Sequence, residues 1–340
     1  MKNLRCHLVF IFSISIIFIS KSCTGKREAL GPDNEIRIIC SNSDKKILKD
    51  LLNSVFDDTL FTPEPEPYYY FKFSTPEKFS KLKNQAYLIV ASLSREDDNE
   101  ASQLIKKLLP SHQYHTNKDQ QPIYMTRDTY SRNQILMIIN GLSVDHVKKF
   151  IKEKEEWIKK QFLGQYQVRQ KNYILDTSGK NSVENLISAK NDWNLSVPWG
   201  WEIINNSTDS GFVWIGKEMP FQWISVSWDS GSFVSNQLIA GRSIWNMPEK
   251  NYKNIRFNDY KFNLTKTKFL SYDAWFMEGI WEAINELESK GGPFRSYLFY
   301  DKIKNKTYHI NMLIFHPGNN KSLYMRQMDM IVKSFSLINS

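Results

Sequence analysis

The sequence predicts an α+β protein made of two α/β-sandwich-like domains, with mostly antiparallel sheets and a long helix linking them. Three observations lead to this prediction. In the first half, short apolar runs alternate with amphipathic helical patterns. In the second half, nine of the ten tryptophans lie between Trp193 and Trp281, among segments with the alternation of half-buried strands. Between the halves, a long helical pattern starts at Ser143 and includes Ile158.

The first residues are typical of a secretory signal peptide. A short basic head is followed by an apolar run from Leu8 to Ser20, and Cys23 comes soon after. Thirteen helical residues reach about 20 Å, which is short of a ~30 Å hydrocarbon core. The surroundings of Cys23 are similar to a bacterial lipoprotein processing box, which implies cleavage before Cys23 and acylation of its sulfur. The alternative is an uncut signal anchor held at the interface by Lys21.

The residues around the cleavage point also predict a compartment. Thr24 stands where lipoproteins retained in the inner membrane often carry aspartate, so the resemblance implies the outer membrane. No acidic run follows Cys23, which favours the periplasmic leaflet over the cell surface. Of the three cysteines, Cys40 alone would remain as a free thiol, and we expect no internal disulfide.

Charge is spread along the chain and concentrates in no single segment. The formal net charge falls from +9 to +6 when Lys2, Arg5 and Lys21 leave with the signal peptide. The segment 152–160 mixes both signs, as a solvated helix face does. Together with export, this argues against a nucleic-acid partner, and the membrane is expected as a partner only through the lipid anchor.

Four segments are predicted along the chain. They are a signal peptide over 1–22, a tether over 23–33, an N-terminal α+β domain over 34–172, and a Trp-rich antiparallel-sheet domain over 173–340. In the N-terminal domain we expect strands at Ile36–Cys40, Tyr68–Phe73, Ala86–Ala91, Ile123–Arg127 and Gln134–Asn140, and helices after Asp44, at Ala101–Leu109 and from Ser143. In the C-terminal domain we expect a strand at Trp223–Trp228, a hairpin of Phe294–Tyr300 with Thr307–Phe315, and a final helix carrying Tyr324 and Phe335.

Several short stretches together resemble a known family over nearly the whole mature length. They are Asn34–Ile36, Pro63–Tyr68, Val197–Trp201, Phe212–Ile215, Gly279–Glu282, Gly291–Phe294 and Lys321–Phe335. They resemble the Bacteroidetes lipoproteins that carry domain of unknown function 4837. The family usually has Met before Gly-Gly-Pro-Phe, where this chain has Lys290. The second half is also similar to the Mog1/PsbP-like fold, which implies a non-enzymatic accessory module and supplies no reaction.

No pattern in the sequence identifies a catalytic or metal centre. His112 and His115 lie in a polar segment between prolines. Asp119 or His146 could supply the third ligand that a zinc site needs, but no spacing in the sequence requires it. There is no Gly-x-Ser-x-Gly, and Cys40 has no histidine nearby in sequence. We therefore expect no catalytic residues, no metal and no cofactor, although a triad can assemble from residues distant in sequence.

The aromatic residues of the second half supply the one candidate binding site. Most of them are expected to fill the core, but exposed tryptophans could stack on sugars or anchor a protein. Gly291 and Gly292 are expected in a turn that needs glycine torsions. A shallow ligand or partner groove is predicted from Trp199, Trp201, Trp281, Gly291, Gly292, Pro293, Phe294 and Arg295.

These observations favour a lipid-anchored periplasmic scaffold or adaptor that binds another envelope protein. The first alternative is a glycan-binding or peptidoglycan-binding module that uses exposed tryptophans. The second is a hydrolase whose site assembles only in the fold.

Overall fold

The computed structural model of the protein describes residues 25–95, 99–115, 117–174, 182–285 and 290–338. The predicted signal peptide and the lipidation residue Cys23 lie outside these ranges. None of the described helices is both long enough and apolar enough to cross a membrane.

The N-terminal half is a five-stranded sheet with helices packed on both of its faces. In chain order its elements are β1 (Glu35–Ile39), α1 (Lys45–Val55), β2 (Thr59–Leu60), β3 (Glu66–Pro67), β4 (Tyr70–Ser74), α2 (Phe79–Leu82), β5 (Tyr87–Ser92), α3 (Glu100–Leu108), α4 (Ser111–Tyr114), β6 (Ile123–Arg127), β7 (Ile135–Asn140) and α5 (Val144–Ile174). The spatial order of the sheet is β4-β1-β5-β7-β6, and β2 pairs with β3 in a separate ribbon.

Pairing in this sheet is mainly parallel. Strand β1 runs parallel to β4 and β5, β5 runs parallel to β7, and only β6 is antiparallel to its neighbour β7. Every residue of β5 and β7 is buried, as expected for strands covered on both faces. On β5, Ile89 packs into the core under α1 and α5, while Leu88 and Val90 pack into the core under α3.

The long helix α5 has 31 residues and begins directly after Ser143, as the sequence predicts. The Ser143 side chain accepts a hydrogen bond from the His146 amide at 3.3 Å, which satisfies one of the free donors of the first turn. Ile158 and Phe162 pack into the N-terminal core, whereas Ile174 at the end of the helix packs into the C-terminal core. The helix therefore contributes apolar side chains to both halves.

The C-terminal half is built on a seven-stranded sheet that is antiparallel throughout. Its elements are α6 (Ser182–Lys190), β8 (Trp193–Asn194), β9 (Glu202–Ser207), β10 (Phe212–Lys217), β11 (Phe221–Ser230), α7 (Gln237–Asn251), β12 (Ile255–Phe269), β13 (Tyr272–Ala283), β14 (Gly291–Asp301), β15 (Lys306–Phe315), α8 (Ser322–Val332) and β16 (Ser336–Leu337). The sheet order is β12-β13-β14-β15-β11-β10-β9, and β8 pairs separately with β16.

Each face of the large sheet carries its own core. Met325 and Met328 of α8 pack on one face with Trp193, and Ile244 of α7 packs on the other face with Phe294. The two tryptophans of β11 point to opposite faces, because Trp223 packs against the α7 core and Trp228 against the α8 core. The predicted α+β class and the predominance of antiparallel pairing are confirmed, and the five-stranded sheet is the exception to that predominance.

Helix α8 also joins the two halves. The Glu66 carboxylate accepts hydrogen bonds from the Lys321 ammonium at 2.8 Å and from the Ser322 amide at 3.1 Å, at the start of α8. Arg326 donates to the Tyr68 carbonyl at 3.2 Å, and its guanidinium lies 3.6 Å from the centre of the Tyr166 ring. Buried charged and aromatic groups therefore lie between β3, α5 and α8.

Candidate functional site

The groove predicted from the sequence does not form. Trp281 and Phe294 are fully buried in the core under α7. Trp201 is buried in the core under α8, and Arg295 is held by Asp329 of α8. Consecutive strand residues point to opposite faces, so Phe294 and Arg295 could never line one surface of the same sheet. The predicted groove is wrong for this reason.

The glycine pair was also expected in a turn, and this too is wrong. Gly291 and Gly292 begin strand β14, and neither has a positive φ. Their small size is what the structure requires. A Cβ on Gly292 would lie 2.0 Å from the Ile314 carbonyl oxygen, and one on Gly291 would lie 2.8 Å from the Trp281 carbonyl oxygen. Pro293, which lacks an N–H, follows as the partner of Ile280 in the ladder.

Arg295 instead forms a buried ionic cluster. Its Nη1 donates to Asp329 Oδ2 at 2.6 Å, and its Nη2 donates to the Tyr68 hydroxyl at 2.6 Å. Its Nε lies 3.3 Å from Glu278 Oε2, an ion-pair contact without hydrogen-bond geometry. Burial alone would lower the pKa of Arg295, but Asp329, Tyr68 and Glu278 outweigh burial and raise it. The guanidinium is therefore charged and structural.

Trp199 is the one predicted groove residue that is open to solvent. Its side chain is 84% exposed. It lies in the loop between β8 and β9, next to Gly200, whose φ of +81° places the backbone in the left-handed region that favours glycine. An exposed tryptophan has a large apolar surface without a partner, which marks it as a candidate contact residue.

Trp199 stands at the side of an open depression of about 620 Å³, which we call the aromatic cleft. Residues of β9, β10 and β11 line the cleft, and no described residue of α7 does. Its lining combines aromatic rings, small residues and charged groups, namely Trp199, Gly200, Glu202, Ile204, Trp214, Gly216, Lys217, Glu218, Phe221 and Trp223.

Strand register brings the rings together. Gly216 of β10 pairs with Trp223 of β11, and Trp214 lies two residues back on the same face. The Trp214 and Trp223 rings meet edge to face with centroids 5.8 Å apart, and Phe221 lies 5.8 Å from Trp223. Gly216 keeps the space open, because a Cβ there would come within 2.6 Å of the Trp223 ring and 2.4 Å of Ile204.

The cleft has polar groups at its rim and one unsatisfied donor inside. Glu202 and Glu218 contribute carboxylates, and Lys217 contributes an ammonium group. The indole Nε1 of Trp214 is buried and has no hydrogen-bond partner in the described structure. A ligand acceptor reaching this nitrogen would recover part of the ~1–3 kcal/mol that an unpaired buried donor costs.

Trp199 also borders a second, smaller recess of about 470 Å³ on its other side. Leu186 of α6 and the Trp201 residue form part of this recess. A single exposed ring therefore stands between two depressions, so an extended ligand could contact both of its faces.

The histidines that the structure describes do not assemble into a centre. The described residues contain no group of three or more His, Cys, Asp or Glu side chains placed to hold a metal ion. His146 is engaged by the Leu142 amide at 3.3 Å and by the Gln120 carbonyl at 2.9 Å. His309 is buried under α7, whereas His316 packs against Tyr324 of α8. His316 lies just beyond the end of β15, so the two histidines do not act together in one site.

The sheet with helices on both faces defines the C-terminal half as an α+β sandwich domain. Residues 180–334 match the family model described as Domain of unknown function (DUF4837), so the resemblance of this half to that family is confirmed. Residues 29–174 match a different model, described as Domain of unknown function (DUF8532). The resemblance expected over nearly the whole mature chain is thus divided between two families. No curated protein matches the chain significantly.

Solved structures of low sequence identity show a distant likeness to part of the chain. The Ran-binding protein Mog1p of Saccharomyces cerevisiae is 9% identical, and the match covers 44% of this chain and 91% of that one with a TM-score of 0.32. LpqN of Mycobacterium tuberculosis, described as involved in cell envelope biogenesis, is 11% identical, with 43% and 83% covered and a TM-score of 0.29. A protein of Bacteroides thetaiotaomicron is 9% identical, with 44% and 46% covered and a TM-score of 0.27.

Proposed function

We propose that the protein is a lipid-anchored envelope protein that binds glycan without catalysis, through the aromatic cleft. The observation that carries this proposal is the convergence of the exposed Trp199 ring with Trp214 and Trp223 around one open depression. Trp199 is 84% exposed and so contributes little to the core, and a large exposed apolar side chain beside a depression is typical of a contact residue.

The chemistry of the cleft suits a sugar chain. A pyranose ring has an apolar face of C–H groups that packs on an indole ring, while its hydroxyls hydrogen-bond to polar groups at the rim. Glu202 and Glu218 accept from hydroxyls, Lys217 donates to ring or carbonyl oxygens, and the Trp214 Nε1 supplies a further donor. In the periplasm, the peptidoglycan strand is the abundant polymer with these features.

The cleft holds two carboxylates, Glu202 and Glu218, which is the residue type that glycosidases use, so hydrolysis of the sugar chain is the alternative to binding alone. No histidine lines the cleft. The deeply buried His309 lies elsewhere, and burial lowers its pKa to about 3, so the imidazole is neutral and a weak base at neutral pH. We propose binding without bond cleavage as the function of the cleft.

The experiment is co-sedimentation of the protein lacking residues 1–25 with purified cell-wall sacculi. Replacing an exposed aromatic contact should cost about 2 kcal/mol, so W199A should weaken retention roughly 30-fold. Y260A is the matched control, because Tyr260 is 88% exposed and lies on β12, outside the cleft. Equal retention of W199A and Y260A, or no retention of the parent protein, would contradict glycan binding at this cleft.

The second candidate function, an adaptor for another envelope protein, is supported by a separate surface. Between α7 and the edge strand β12 lies an apolar groove of about 650 Å³, which we call the α7–β12 groove. Trp245 and Met277 form part of it, and Leu238 and Phe262 at its border are 71% and 48% exposed. Apolar side chains exposed around a groove are typical of protein docking sites.

Capture of detergent-solubilised envelope proteins tests the adaptor candidate. The pair L238D and F262D should abolish saturable capture of one membrane protein, while W199A should leave it intact. If the protein with both aspartate substitutions still captures the membrane protein, the α7–β12 groove is not the docking site. The two candidate functions are thus separated by which variant loses its partner.

Anchoring at Cys23 underlies both proposals. Each buried methylene of an acyl chain contributes ~0.8 kcal/mol, and two or more chains make attachment stable. Attachment confines the folded halves near the membrane and raises their effective concentration toward partners there. C23A should move the protein to the soluble fraction. A C23A protein that keeps its full length and stays in the membrane would favour the uncut signal anchor.

A further inference from the structure

Another partly open pocket lies on the other side of α7 from the α7–β12 groove. It has a volume of about 380 Å³, and we call it the α7 cavity. Ser227 of β11, Leu298 of β14 and His309 of β15 line it from the sheet, while Arg242 and Lys250 line it from α7. In the ladder His309 lies opposite both Ser227 and Leu298, so these three form one row across three strands.

His309 is the unusual member of this row. Its side chain is only 4% exposed, and its Nε2 is buried without a hydrogen-bond partner in the described structure. Desolvation lowers the pKa of His309 to about 3, so the ring is neutral and offers one donor and one acceptor. An unsatisfied buried nitrogen costs about 1–3 kcal/mol, which a hydrogen-bonding group in the cavity could recover.

The neighbouring polar groups on this face are satisfied, which sets His309 apart. The Tyr252 hydroxyl is 2.6 Å from Ser225 Oγ and accepts from Asn311 Nδ2 at 3.1 Å. Ser296 Oγ donates to Asn311 Oδ1 at 2.7 Å. A complete polar network therefore lies one step along the sheet, whereas His309, which lines the cavity, carries the unpartnered nitrogen.

The charges around the cavity leave one cation uncompensated. Lys250 pairs with Asp229, with Nζ–O distances of 2.8 and 3.0 Å. Arg242 is exposed, and the described residues provide it with no ion-pair partner. Arg242, Lys250 and Asp229 together give the cavity lining a net charge of +1. This charge favours a ligand with a single negative charge.

Between these two polar points the walls are apolar. Phe233, Leu238, Met247 and Leu298 contribute carbon surface. A space of this size is at the lower end of the range for small-molecule sites, about 300–1,000 Å³. A ligand that fits this cavity has a compact apolar body between a charged group and a hydrogen-bonding group.

We infer that the α7 cavity binds a small organic monocarboxylate, with the carboxylate on Arg242 and a hydrogen-bonding group at the opposite end near His309. The site is distinct from the aromatic cleft and does not depend on the proposed glycan function. A planar guanidinium pairs with one carboxylate through two parallel hydrogen bonds, which a primary amide cannot reproduce.

The test uses the full chain in detergent and a panel of hydroxyaryl carboxylates, each compared with its own primary amide. Saturation-transfer NMR should detect the acids, and each acid should bind at least tenfold more tightly than its amide. R242A should weaken acid binding tenfold or more, equivalent to about 1.4 kcal/mol. R132A is the control, because Arg132 is an exposed arginine of the N-terminal half, far from the cavity.

A second measurement places the ligand without altering the fold. In protein labelled with ¹⁵N at histidine, saturation with the bound acid should shift the His309 Nε2 resonance and leave that of His146 unchanged. Binding of acids and amides with equal affinity, retention of full affinity in R242A, an unmoved His309 resonance, or absence of binding across the panel would each overturn the proposal.

Discussion

Arg295 provides a sharp test of how the C-terminal half is held together. In the groove predicted from the sequence, its replacement would affect binding and leave stability unchanged. In the structure, its side chain is 8% exposed and its ionic partners Asp329 and Glu278 are 14% and 17% exposed. The substitution R295M keeps an apolar side chain of similar length but removes the charge, so it leaves both carboxylates buried without their cation.

The expected loss follows from that desolvation. Removing one partner of a buried ion pair costs about 3–5 kcal/mol, because the remaining charge stays out of water. The Tyr68 hydroxyl also loses the guanidinium at 2.6 Å, so the cluster loses a contact to the N-terminal half. We therefore expect R295M to lower the free energy of unfolding by about 3–5 kcal/mol. Adding D329N should restore part of this loss, since it removes one of the stranded charges.

Urea unfolding followed by tryptophan fluorescence and circular dichroism measures this change. R256M is the matched control, because the Arg256–Glu282 pair is 2.7 Å apart but its arginine is 64% exposed. An exposed pair contributes ~0–1 kcal/mol, so R256M should be close to the parent protein. If R295M costs no more than R256M, or if D329N adds its full cost to that of R295M, the buried-cluster argument is refuted.

Three further predictions concern other buried positions. G292A should destabilise the sheet by more than ~2 kcal/mol, since its Cβ would lie 2.0 Å from the Ile314 carbonyl oxygen; near-parental urea unfolding would contradict this. His309 has a pKa of about 3 in the folded state and 6.5 in the unfolded state. Between these two pH values the unfolded state binds more protons, so the free energy of unfolding falls as the pH drops from 6.5 toward 3. Between pH 6.5 and 5 this amounts to about 1.5 kcal/mol, and H309L should lose that slope in urea titrations at the two pH values. Cys40 is buried and desolvation raises its pKa to about 12, so in protein lacking residues 1–25 a disulfide reagent should react only after unfolding; rapid labelling of native protein would contradict its burial.

Most of the elements follow from local patterns in the sequence. Strand β6 is predicted with its observed bounds Ile123–Arg127, and the hairpin of β14 with β15 lies where the aromatic runs place it. Helix α5 starts where Ser143 can cap it. These elements combine strong periodicity with clear boundary residues, which is the information that a sequence carries most directly.

Two features of the fold are not predicted by local sequence patterns. Helix α7 is absent from the prediction, and it contains Pro248, a residue that normally ends a helical pattern. The parallel pairing of β1, β5 and β7 depends on long-range contacts, and a short apolar run does not specify its neighbour or direction.

The candidate site shows where the sequence argument failed and what would have corrected it. Closeness in sequence suggested that Phe294 and Arg295 share a groove, yet strand alternation alone separates them. Strand alternation also assigns Trp214 and Trp223 each to one face of its own strand. It does not say which residues of the two strands lie opposite each other. That register comes from the hairpin between β10 and β11, which pairs Gly216 with Trp223. Trp199 stays a candidate contact residue, and the residues that surround it in the cleft could be found only from the fold.

The central claim is that the aromatic cleft, with Trp199 at its side, binds sugar chains. The most direct measurement is a calorimetric titration of the protein lacking residues 1–25 with soluble peptidoglycan strands, repeated with W199A and Y260A. We predict saturable binding that Y260A retains and W199A weakens roughly 30-fold. Binding that is unaffected by W199A, or equal weakening by Y260A, would contradict it.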